Sequence, residues 1–179
     1  MTPSDKKVLG EERRKLILDW LQTEKLPLKG GELAQRTNVS RQVIVQDISL
    51  LKAKNEPILA TSQGYVYIKS PVKEKKVERI IVSFHPPERT KEELYLLVDH
   101  GVKVKDVRIE HPVYGDLTAS VMVETRREVD EFIKRIESTN ASYLSQLTDG
   151  THLHLIEADS EEKLNVVCDA LKKAGMLVE

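Results

Sequence analysis

The sequence predicts an α+β protein in two parts: three helices closed by a β-hairpin, then a β-α-β-β-α-β unit. Three observations predict this. Charge is divided unevenly, with 12 Lys/Arg against 8 Asp/Glu in residues 1–70 and 16 against 21 in residues 71–179, so a basic part precedes an acidic one. Apolar residues recur at helical spacing in the first third and then switch between helix and strand spacing. Between the parts, Lys69-Ser70-Pro71-Val72-Lys73-Glu74-Lys75-Lys76 is polar and carries a proline, the composition of a short linker.

In the first part, Leu16, Ile17, Trp20 and Leu21 lie on one helical face, which predicts a helix over about 11–24 that Pro27 ends. A second helix over about 30–37 turns Leu33 and Ala34 inward. Thr37-Asn38-Val39-Ser40 then makes a tight turn, with Ser40 as the N-cap of a third helix. That helix, about 40–54, buries Ile44, Ile48 and Leu51. After Pro57, Ile58-Leu59-Ala60 and Tyr65-Val66-Tyr67-Ile68 flank Ser62-Gln63-Gly64 as a hairpin.

Together these elements make a winged helix-turn-helix over residues 1–70. In that arrangement the third helix enters the major groove of DNA. Its outward side chains are Ser40, Arg41, Gln42, Val43, Val45 and Gln46. Glutamine pairs with adenine, arginine with guanine or phosphate, and valine touches thymine methyl groups. Lys52, Lys54 and Lys69 are the expected phosphate contacts. Double-stranded operator DNA is the expected partner, and a winged helix that docks protein is the alternative.

In the second part, Val77 to Phe84 reads as a strand, followed by His85-Pro86-Pro87. Thr90 as N-cap and Glu93 at the capping-box position open a helix that ends at Gly101. Val104 to Glu110 and Leu117 to Glu124 are strands around the turn His111-Pro112-Val113-Tyr114-Gly115-Asp116. A helix follows over 127–138, then a strand over 151–157, then a helix capped by Ser160, with Met176-Leu177-Val178 as a possible short strand. This is the element order of a ferredoxin-like split βαβ domain over residues 77–179. Its usual strand order, 4-1-3-2, makes the first and fourth strands antiparallel neighbours.

That adjacency decides how the histidines read. His152 and His154 share one face of their strand, because strand side chains alternate. Alone, the pair reads as surface decoration. Antiparallel pairing brings His85 to the same end of the sheet, and Glu93 leans over it from the first helix. Three imidazoles and a carboxylate suit Zn, Ni, Fe or Mn. Asp149 and Thr151 are within reach of such an ion. His100, beside Gly101, is explained by the helix dipole, and His111 by either turn chemistry or a ligand contact. A metal-responsive regulator and a metal-dependent hydrolase remain open on these residues, the latter without a nucleophile motif or a dedicated general base.

With a single cysteine, Cys168, there is no internal disulfide. No apolar run approaches the roughly 20 residues that span a bilayer, and no signal-type segment opens the chain. A cytoplasmic location without membrane contact is expected.

At this point the chain resembles the bacterial niacin-responsive repressors of NiaR type, which join a winged helix to a so-called 3H domain. The resemblance rests on Val39-Ser40-Arg41-Gln42-Val43-Ile44-Val45-Gln46-Asp47-Ile48, Phe84-His85-Pro86-Pro87, Glu110 to Leu117, and Asp149-Gly150-Thr151-His152-Leu153-His154. It implies a homodimeric repressor of NAD-biosynthesis or niacin-uptake genes, not an enzyme, with nicotinic acid as co-repressor. It also implies a divalent metal, nickel or zinc, held by His85, Glu93, His152 and His154. Nicotinate is expected on that metal or beside His111, Tyr114 and Arg108.

Overall fold

The computed structural model describes residues 8–68 and 76–178. Lys69, expected as a phosphate contact, and linker residues 69–75 lie outside the described residues. The chain divides into two compact units, Met1–Val72 and Lys73–Glu179.

In the first unit, α1 (Gly10–Thr23), α2 (Gly30–Arg36) and α3 (Arg41–Ala53) precede a hairpin of β1 (Ile58–Thr61) and β2 (Gly64–Tyr67). Glu11 and Glu12 in the first turn of α1 complement its dipole. Ser40 caps α3, its hydroxyl accepting from Val43 N. The hairpin is tied back to the helices by Leu28, which exchanges both backbone hydrogen bonds with Tyr65 at 2.8 and 2.9 Å. Ile17, Leu33, Ile44 and Ile48 fill the core.

One feature of this core escapes hydrophobic periodicity. Arg13 on α1 and Asp47 on α3 are both buried, and Arg13 Nε donates to Asp47 Oδ2 at 2.5 Å while Arg14 Nη1 reaches Oδ1 at 3.2 Å. Leu16 and Trp20, expected inside, are only half-buried. A charged residue counts as exterior in a periodicity argument, so only its partner on another helix can place it inside.

The second unit runs β3 (Val77–Phe84), α4 (Thr90–Asp99), β4 (Lys103–His111), β5 (Gly115–Val123), α5 (Arg126–Thr139), β6 (Thr151–Ala158) and α6 (Glu161–Lys173). The strands form one antiparallel sheet in the order β3-β6-β4-β5. The α+β class and the element order are as expected, and the ferredoxin-like strand order is corrected. The fourth strand of the unit does pair with the first, but it lies inside the sheet, between the first and second. Both crossovers still skip one strand.

The side chains account for the swap. β6 buries His152, His154, Ile156 and Ala158 on one face and half-buries Leu153 and Leu155 on the other, as a central strand must. β3 leaves Ile80 and Phe84 about half exposed, as an edge strand can. Its outer edge takes the C-terminal segment through a bridge between Ser83 and Leu177, with Phe84 N donating to Met176 O at 2.8 Å and Val178 N to Val82 O at 2.9 Å. Leu94, Leu97, Val129, Ile133, Leu164 and Val167 pack the three helices onto one sheet face.

The start of α4 also differs from expectation. Pro86 and Pro87 begin a 3-10 turn over Pro87–Arg89 that runs straight into the helix, so Thr90 is its first residue and makes no cap bond. Proline preset for the first helical position starts the turn early. Glu93 is thereby free of the capping box and turns into the interior.

Candidate metal centre

Backbone geometry brings the histidines together before any ion is considered. The β3–β6 register sets Ser83 opposite His152 and Ile81 opposite His154, so both imidazoles face the helix layer. His85 follows one residue beyond the end of β3. The chain enters β6 through Gly150 at φ +99, where a Cβ would lie 2.6 Å from His85 O. Only glycine allows that approach in that conformation. From α4, one turn in, Glu93 reaches the same point.

The four side chains meet at one atom. Glu93 Oε2 lies 2.7 Å from His85 Nε2, 3.1 Å from His152 Nε2 and 3.4 Å from His154 Nε2. Glu93 is 0% exposed and the three histidines 2–4%. His85, Glu93 and His152 each offer one ligand atom within 4.8 Å of the others, a spacing that can hold a metal ion.

The opposite ring nitrogens fix the tautomer. His85 Nδ1 donates to Pro86 O at 2.9 Å, His152 Nδ1 to Gly150 O at 2.8 Å and His154 Nδ1 to Asp106 O at 2.6 Å. Carbonyl oxygens only accept, so each Nδ1 carries the proton. In a neutral ring each Nε2 then presents a lone pair, and three lone pairs point at a carboxylate. Two things relieve that repulsion: protons on the rings, or a cation among the donors. Metal-bound histidines commonly direct the other ring N–H at a backbone carbonyl in this way. Glu93 Oε1 is buried with no hydrogen-bond partner among the described residues, so the carboxylate has bonding capacity to spare. The donor set fits a divalent transition metal.

Without an ion, protons take its place. Burial would lower His85 and His154, but the Glu93 carboxylate more than offsets it and both are raised above the ordinary histidine value. Burial would raise Glu93, yet the charge of His154 and hydrogen bonds from His152, His154 and His85 hold it well below the usual carboxylate range. A raised histidine stabilises the metal-free fold fully below its unfolded-state value near 6.5, and that contribution is lost as pH rises through the folded value. The depressed carboxylate contributes above its unfolded-state value near 4.3 and is lost on acidification through its folded value. Metal binding runs the other way on the alkaline side, because it needs deprotonated rings. The rise in melting temperature caused by Zn²⁺ is therefore expected to grow from pH 5.5 to pH 8 in a thermal-shift series. An increment flat across that range would contradict the site.

Other residues read from the sequence fall elsewhere. Asp149 and Thr151 are exposed, as is Glu88, and Glu92 pairs with Arg89. His100 Nδ1 donates to Leu96 O at 2.7 Å at the end of α4. His111 Nδ1 accepts from Val113 N and Tyr114 N, a turn role, and its ring lies 5.0 Å from Tyr114, which is 75% exposed. Arg108 pairs with Asp106 and sits opposite Leu153, on the sheet face away from the imidazoles. These three do not converge with the cluster. The residue that sequence missed is Asp106. A register irregularity between Val104 and Asp106 lets its carbonyl accept from His154 while Oδ1 accepts from Leu155 N at 3.0 Å. Nothing in its sequence neighbourhood marks a bulge.

In the first unit, Ser40, Arg41, Gln42 and Gln46 are exposed along α3, with Val43 and Val45 half-buried beside them. Lys52 and Lys54 are exposed at its end. Among the described residues no helix is long and apolar enough to cross a membrane.

Comparison with known proteins agrees with this division. An HTH-domain model matches residues 13–66 and a 3H-domain model residues 78–179. The chain is 62% identical over 174 residues to the transcription repressor NadR of Bacillus subtilis, covering 97% of each. It is 40% identical over 173 residues to the probable transcription repressor NiaR of Thermotoga maritima, again covering 97% of each. With an HTH domain, a 3H domain and relatives matched nearly end to end, the chain belongs to the NiaR/NadR-type family.

Proposed function

We propose that the protein is a transcriptional repressor of NAD-biosynthesis or niacin-uptake genes, cytoplasmic and homodimeric, that binds operator DNA through α3 and responds to nicotinic acid through a metal-containing 3H domain. The observation that carries this is the convergence of His85, His152 and His154 on Glu93 in a unit joined to a helix-turn-helix. The names of the two relatives support the repressor reading. Nickel or zinc matches nitrogen-rich donors.

In this reading, His85, Glu93, His152 and His154 hold the ion, which supplies a fixed positive charge where the carboxylate and three lone pairs meet. The backbone carbonyls of Pro86, Gly150 and Asp106 keep the rings aimed. The burial of all four side chains argues against a hydrolase, which must admit substrate and water to its ion. The same burial favours a nicotinate site beside the donors over direct entry among them. Arg108, His111 and Tyr114 lie apart from the donors, so a nicotinate contact there would be a second site, distinct from one beside the ion.

On α3, Ser40 holds the helix start while Arg41, Gln42, Val43, Val45 and Gln46 meet the major groove, and Lys52 and Lys54 meet phosphate. A dimer neutralising about six phosphates is expected to lose roughly 10³-fold in operator affinity between 50 and 200 mM salt. Fluorescence-anisotropy titration checks this, with nicotinate added to metal-loaded and chelator-treated protein. Nicotinate that tightens operator binding only in metal-loaded protein is the expected result. No effect of nicotinate on metal-loaded protein would sink the co-repressor reading, and absence of salt dependence would sink the DNA reading.

A further inference from the structure

Three buried oxygens around the cluster have no hydrogen-bond partner among the described residues: Glu93 Oε1, Ser83 Oγ and Thr90 Oγ1. The backbone places them in one neighbourhood. Ser83 stands directly opposite His152 across the β3–β6 ladder, and such pairs have Cβ atoms roughly 5 Å apart. His152 in turn reaches Glu93 Oε2 at 3.1 Å. Thr90 precedes Glu93 by one turn of α4, which sets the two side chains on one helix face with Cβ atoms about 5–6 Å apart. Ser83 and Glu93 are both 0% exposed. Buried polar atoms are rarely left unbonded, because desolvating them without a partner is costly.

We propose that Ser83 and Thr90 are positioning residues of the metal centre, their hydroxyls holding Glu93 Oε1 through one ordered water. A water bridging the three oxygens would have three polar partners, the usual number for a buried one. The water donates to the carboxylate, which only accepts, and each hydroxyl either donates to it or accepts from it. Anchored through Oε1, the carboxylate keeps Oε2 facing the three imidazoles. Outer contacts of this kind orient metal ligands, and their loss weakens affinity by about 10–100-fold. The inference rests on the cluster being a metal site, and its test separates the two.

Wild-type protein, Ser83→Ala, Thr90→Val and Thr90→Ser are titrated with Zn²⁺ against a competing chelator, and their metal-free melting temperatures are compared. Ser83→Ala and Thr90→Val are expected to weaken Zn²⁺ binding by about tenfold or more and to lower the metal-free melting temperature. Thr90→Ser is expected to preserve both. Unchanged affinity in Ser83→Ala and Thr90→Val overturns the proposal. So does a metal-free melting temperature that is equal or higher without the hydroxyl, the behaviour of a dry, unbonded group. Weakened binding that Thr90→Ser also shows overturns it as well, since packing is then responsible. If wild type takes up no Zn²⁺, the metal reading fails instead, and the metal-free melting comparison alone decides whether the water is held.

Discussion

His152→Ala combined with His154→Ala is expected to abolish transition-metal binding while leaving the N-terminal unit folded. The substitutions remove two of the three imidazoles that face Glu93 Oε2 and leave only His85 with the carboxylate. Loss of contacts outside the ligand set costs about 10–100-fold in affinity, so loss of two ligands takes binding below detection in a chelator competition. The N-terminal unit has its own core around Ile17, Ile44 and Ile48, and its share of the helical signal is expected to persist. Because the double variant strips a buried anion of its partners, it also weakens the 3H domain. Glu93→Gln is the companion that separates the effects. It removes the charge at nearly constant shape and is expected to lower affinity by about 100-fold or more with the fold retained. Wild-type metal affinity in the double variant would show that His152 and His154 are not ligands, and wild-type affinity in Glu93→Gln would show the same of the carboxylate.

Asp47→Ala is expected to destabilise the N-terminal unit by about 3–5 kcal/mol, the usual consequence of removing one partner of a buried ion pair. The Arg13 and Asp47 side chains are 7% and 3% exposed, so solvent does little to replace the lost contact. Arg14 loses its partner at the same time. A loss of that size is a large part of the stability of a small domain, and denaturant titration followed by helical signal reads it directly. DNA binding is expected to fail together with folding. A midpoint within experimental error of wild type would mean that the pair is not what joins α1 to α3.

Much of the fold was legible because local chemistry and tertiary structure agree. Ser40 and Ser160 cap their helices where the sequence placed them. Disagreement arose where two local signals competed. Thr90 and Glu93 spell a capping box, yet the two prolines before them start the turn sooner and free Glu93 for the interior. Arg13 counts as surface in any periodicity argument and is buried only because Asp47 reaches it from 34 residues away.

The candidate site divides in the same manner. Alternation along Thr151-His152-Leu153-His154 put both imidazoles on one face, and antiparallel pairing brought His85 beside them. Those are period-two and end-to-end properties that a chain carries in its own order. Which face became the interior, and that β6 lies inside the sheet where its imidazoles are buried, depended on the helices that cover it. The tautomer was set by three carbonyls that no side-chain pattern reports, among them Asp106 O, supplied by a strand 48 residues away in sequence. The sequence by itself determined which donors exist and which share a face, because those follow from residue type and strand period. Only the tertiary structure decided that they converge on one carboxylate oxygen with their other nitrogens already bonded, because that requires the register of three strands and the burial supplied by a helix.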